Sequence, residues 1–187
     1  MPNLQPFRNY DEKDVINLFA FSGSLPATKG TLVKVHKEAG WKATDEMSML
    51  GDVGASFGNT VSQRYGVAAK VAASTIGETP LGILLILLMD VRETDENGEL
   101  LKFNPRKAAE MQTVLSGQAV PIVTRGTFLY SGVVGTPAAG GVAYAGAAGV
   151  ITASSSGSAV PIGMFLGAKD ANDNVLVKIN CIGFDVE

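Results

Sequence analysis

From residue 23 onward, apolar residues come in short stretches split by Gly, Ser, Thr and Asn, the grammar of strands and tight turns. "TLVKVHK" at 31–37 alternates apolar and polar positions, as a half-buried strand does. The most apolar run, 81–89, includes a glycine and has about half the length a membrane-spanning helix needs. One segment has a helical pattern. Asn104 is suited to an N-cap, Pro105 to the first helical position, and "RKAAEMQTVLS" is rich in helix formers before Gly117. Ala108, Met111, Val114 and Leu115 would share one face of a helix over 104–116 and pack it on a sheet. Residues 117–187 return to short strands. Within them, 132–157 are almost wholly small residues, which predict loops or tightly apposed strands. Residues 1–22 stand apart, with two prolines, a charged cluster at 11–14 and then "VINLFAF", and predict an extended arm ending in a short apolar anchor.

Several phrases occur twice in the same order. "ATKGTLV" (27–33) is echoed by "VTRGTFL" (123–129), and "YGVAAKV" (65–71) by "YAGAAGV" (144–150). "ETPLGILL" (78–85) is echoed by "AVPIGMFL" (159–166), and "DENGELL" (95–101) by "DANDNVLV" (170–177). Proline cannot donate to a ladder, and glycine permits a bend or a close backbone approach, so Pro-apolar-Gly suits a strand entering a core at a corner. A duplication of one β unit and chance likeness within a Gly-rich β protein both account for the echo. The expected fold is mainly β, with barrel- or sandwich-type units: an arm at 1–22, a first β unit at 23–103, a linking helix at 104–116 and a second β unit at 117–187.

Composition narrows the function. The 187 residues are 46% hydrophobic and 18% charged, which is globular. The net charge is −3 and no Lys/Arg cluster appears, so nucleic acid is not an expected partner. The N-terminus lacks the basic and apolar regions of a secretory signal, and neither it nor any apolar run predicts a membrane association. A single cysteine, Cys181, precludes an internal disulfide framework and is expected in the core of the last strand.

Candidate chemistry is sparse. "GASFG" at 54–58 formally places Ser56 in G-x-S-x-G, but a nucleophile elbow needs a following helix and a downstream histidine. The only histidine, His36, lies upstream. One histidine and one cysteine make neither a metal cluster nor a persuasive dyad. Asp170, Asn172 and Asn174 begin like a calcium loop, but Val175 stands where the glycine is required and Cys181 where the glutamate is, so a β-turn is expected. No catalytic residue, cofactor or metal ligand is assigned, and an enzyme is not expected.

The stretches "NYDEKDVINLFAFSG", "KGTLVKV", "PLGILLILLMDVRETDENGELL", "GQAVPIVTRGTF" and "VPIGMFLGAKDANDNVLVKI" resemble the capsid decoration, or cement, proteins of tailed bacteriophages. The resemblance covers about two-thirds of the chain. It implies a β module, often trimeric, made in the cytoplasm of the host bacterium and bound to the outside of the capsid where major capsid protein subunits meet. It also implies that function resides in interface area, with the lattice supplying avidity. On this reading Phe7, Tyr10, Val15, Leu18 and Phe19 of the arm are interface candidates, the last three being equally placed to begin the core. Trp41 is either an interface anchor or a cap on a barrel end. Residues 38–62 and the helix make the chain larger than a minimal decoration module. A tail or vertex protein is the structural alternative. A host-attachment or carbohydrate-binding module would need an aromatic platform, and one Trp and four Tyr supply little for it.

Overall fold

A computed structural model describes residues 4–6, 14–22, 27–36, 70–85, 113–114 and 119–181. Their strands are β1 (Leu4–Pro6), β2 (Val15–Phe21), β3 (Ala27–Thr28), β4 (Leu32–Val35), β5 (Lys70–Ala73), β6 (Gly82–Leu84), β7 (Thr113–Val114), β8 (Ala119–Val123), β9 (Arg125–Tyr130), β10 (Val142–Ala145), β11 (Ile151–Thr152), β12 (Pro161–Phe165) and β13 (Val175–Asn180). The protein is mainly β. Five strands close a barrel in the order β2-β5-β4-β6-β8, six form an open sheet in the order β1-β9-β13-β12-β10-β11, and β3 pairs β7.

The barrel interior is filled by side chains, as a barrel of so few strands requires. Phe19 and Phe21 from β2, Val33, Val71, Leu84, Val120 and Ile122 form one buried cluster. The alternate residues of β4, β6 and β8 point the other way. Leu32, Ile83 and Val123 join Phe128, Tyr130, Phe165, Val175, Val177 and Ile179 of the open sheet in a second cluster. Strand β4 is therefore apolar on both faces at Leu32 and Val33, which corrects the half-buried reading of 31–37. The alternation there reports only its end, where Lys34 is half-buried and Val35 exposed.

One stretch of chain ties the barrel to the sheet. Strand β8 belongs to the barrel, β9 to the sheet, and Thr124 alone separates them. The N-terminal chain runs antiparallel beside both, with Leu4 opposite Tyr130, Pro6 opposite Phe128 and Val15 opposite Val123. Thr124 is buried at the junction, where its N–H donates to the Asp14 carbonyl at 2.9 Å and its own carbonyl accepts from the Cys181 N–H at 2.9 Å. Pro121 sits inside β8. Opposite it, the register between Ile16 and Phe19 slips by one residue, so Asn17 and Leu18 together face a proline that has no N–H to offer.

The helix expected over 104–116 is corrected at its C-terminal end. Thr113–Val114 is strand β7, paired antiparallel with Ala27–Thr28; residues 104–112 lie outside the described residues. Two β-branched residues with an extended partner favour the strand, and a pattern read along the chain does not contain that partner. The small-residue stretch 132–157 holds β10, a single 3-10 turn at Ala147–Gly149 and β11, joined by loops.

The echoed glycines share a physical role. Gly82 in β6 and Gly163 in β12 each lie against a neighbouring strand so closely that a Cβ would run into a backbone carbonyl oxygen, that of Val123 and Lys178 respectively. Gly30 and Gly126, the glycines of the other phrase, each lie under an aromatic ring, Tyr130 and Phe128. Strand pairing does not follow the echo. β6 lies beside β4, whereas β12 is separated from β9 by β13.

Candidate interaction surface

The arm residues fall in three places. Phe19 is 8% exposed inside the barrel, and Val15 is half-buried against the shared core. Leu18 lies in β2 within the register slip opposite Pro121. Phe7, Tyr10 and Trp41 lie outside the described residues, as does Ser56. The arm adds a strand to the edge of its own sheet. β1 pairs β9 and Leu4 is buried in the shared core.

Cys181 is buried directly after β13 and packs in the shared core, with burial pushing its thiol up to about 12. A thiol so protonated is a poor nucleophile. The Asp170 carboxylate is occupied by its own turn, where Oδ1 accepts the backbone N–H groups of Asn172 and Asn174, each at 2.8 Å. Those bonds hold its pKa below the usual carboxylate range and close the β12–β13 hairpin. No cluster of three metal-ligating side chains occurs among the described residues, and none of their helices is long and apolar enough to cross a membrane.

The β5–β6 connection is a rigid turn that no sequence motif marked. The Glu78 N–H donates to the Thr75 carbonyl at 3.1 Å, and Gly77 takes φ +84°, which a type II turn requires at that position. Oε2 of Glu78 accepts from the Thr75 N–H at 2.9 Å and its hydroxyl at 2.7 Å, while Lys34 donates to Oε1. The Lys34 bond first, and then the Thr75 bonds, hold the Glu78 carboxyl down at about 2. Ile76 is displayed, exposed, at the tip.

Among the described residues, an apolar display lies on the open sheet. Val142, Met164, Lys178 and Thr127 are consecutive cross-strand partners on β10, β12, β13 and β9, so they form one row on the outer face. Leu166, Leu176 and Leu129 form the next row, Leu166 donating its N–H to the Leu176 carbonyl at 2.8 Å. Val142, Met164 and Leu166 are 41%, 45% and 43% exposed. A bulge sharpens the contrast between the two faces. Ala143 pairs with Gly163 and Tyr144 with Pro161, leaving Ile162 as the extra residue, and Ile162 is fully buried while Met164 faces out. None of the six strands contains Asp or Glu, although the chain has 18 acidic residues; among the described residues Lys178 and Arg125 are the only charges in the sheet, and Arg125 is bonded to Asp14 at 2.9 Å.

What the described residues build is a filled barrel, an interlocked sheet and a broad outward face, the equipment of a structural β protein. The family model described as "Structural cement protein (E217 gp24/Pam3 gp6)" matches residues 20–180. The chain belongs to that family: it is a structural cement protein of phage, a virion component associated with the capsid, and the role of the family is structural. Among curated proteins and among solved structures, nothing matches the chain.

Proposed function

We propose that this cement protein binds the outer surface of a phage capsid and stabilises the lattice of the major capsid protein, assembling there as a homo-oligomer, with a trimer favoured. The family match over 20–180 carries the reading. The fold supports it in two ways. A barrel and a sheet joined through one strand and one shared core make a stiff body, and the apolar outer face offers area for repeated contacts that a lattice multiplies by avidity. Each copy then adds a modest contact energy, and the shell gains their sum.

Quantitative mass spectrometry of purified particles tests this as a copy ratio to the major capsid protein. A ratio near unity is expected for a protein that covers the lattice. A small fraction of that moves the protein to a vertex or the tail, and absence from the particle rejects the proposal.

A further inference from the structure

We infer that the outer face of the open sheet, centred on Met164, is the surface that docks on the shell, and that it takes an apolar segment of the capsid surface flanked by a carboxylate. The inference rests on the capsid-binding function proposed above and names the face and the chemistry that would carry it.

Two observations converge. Val142 on β10, Met164 on the adjacent β12 and Leu166 just past the end of β12 are large apolar side chains on one face, and each is two-fifths or more exposed. Isolated apolar residues on a surface need no explanation, whereas a contiguous group on a regular sheet face offers a surface for a partner. The second observation is charge. Lys178 stands in register beside Met164, and the strands around it carry no acidic residue in a chain whose net charge is −3. Arg125, further along the same sheet, is already neutralised by Asp14. Lys178 therefore leaves the face locally positive, and an acidic group on the partner complements it.

The same charge argues against a second copy docked face to face as the occupant. A two-fold contact of this face with itself brings Lys178 towards its own counterpart and supplies no carboxylate from any of the six strands. A shell segment with an apolar side chain set into the Val142–Met164–Leu166 surface and an Asp or Glu against Lys178 satisfies both features. The row from Val142 to Thr127 spans roughly 14 Å across the strands, wide enough for a loop or an extended segment.

The test is co-sedimentation of the full-length protein with purified capsid shells that lack it, with thermal melting of every variant as the folding control. Met164→Glu is expected to weaken shell binding on the order of tenfold or more, since it places a charge at the centre of a desolvated contact. Lys178→Glu is expected to weaken binding and to reduce its salt sensitivity, and Lys178→Arg to retain both. Ile76→Glu, on the exposed turn elsewhere, is expected to bind as the wild type does. If wild-type protein binds while folded Met164→Glu and Lys178→Glu bind equally well, the face is not the docking surface and the capsid function stands. If Met164→Glu instead dissociates an oligomer without changing shell affinity, a second copy covers the face and the inference fails. Wild-type protein that does not bind shells overturns the proposed function itself.

Discussion

Gly82 and Val123 leave no room between them: a Cβ on Gly82 in β6 would run into the carbonyl oxygen of Val123 in β8. The obstruction is main chain within a closed barrel, so it cannot swing aside as a side chain could. Gly82→Ala is expected to destabilise the fold by about 1–3 kcal/mol through overpacking, towards the upper end because the backbone must shift. Gly163→Ala, against the Lys178 carbonyl, is expected to do the same in the open sheet. Denaturant midpoints of the two variants check this.

Phe19 separates a core residue from a surface contact. It belongs to the barrel cluster with Phe21, Val33, Val71 and Leu84. Phe19→Ala is expected to cost about 3–5 kcal/mol of stability, the range for an aromatic removed from a packed core. A urea melt of the free protein, with no capsid present, gives the answer; an unchanged midpoint would place Phe19 outside the core.

The Lys34–Glu78 pair makes stability depend on acid pH in a definite direction. The Glu78 carboxyl is held at about 2 against an ordinary value of 4.5, with Lys34 the first cause and Thr75 the next. Its folded value is depressed, so its contribution is fully present above about pH 4.5 and lost as the pH falls from there towards 2. Both side chains are about one-third exposed, so solvent screening keeps the contribution modest. Glu78→Gln is expected to remove this part of the pH dependence, visible as a flatter curve of melting temperature against pH across that window.

Cys181 supplies a readout of local opening. It is the one cysteine of the chain, it is buried, and its thiol is pushed up to about 12. Native protein at mildly alkaline pH is expected to react with a disulfide-exchange reagent only slowly, and denatured protein to react at once with one thiol per chain. A fast native reaction would mean that the end of β13 frays readily.

The sequence made the β class legible because strand chemistry is local. The turn at 170–174 was readable from its Asp and Asn residues, and the burial of Cys181 from the apolar strand before it. The Pro-apolar-Gly echo was readable as two positions needing glycine, and both glycines do meet a neighbouring backbone. What escaped was non-local. "VINLFAF" has the composition of an apolar anchor, and nothing in it specifies that it pairs with β5 and β8 to close a barrel. Thr113–Val114 carries a helical periodicity until Ala27–Thr28 is placed beside it. The outer face proposed for docking is illegible for a related reason. Val142, Met164 and Lys178 are far apart in sequence, each is unremarkable alone, and only the register of β10, β12 and β13 lines them up.

The near-continuous strand from Ala119 to Tyr130 gives the molecule a mechanical property as well as a shape. A tensile load entering through the open sheet passes into the barrel along covalent bonds at Thr124, and not across a seam of side chains that could slide. Strands β1 and β2 flank the same path, so pulling along it shears rows of backbone hydrogen bonds together instead of unzipping them singly. A body wired in this way resists stretching most along one axis. A clamp placed across a strained joint is best oriented with that axis along the direction of strain.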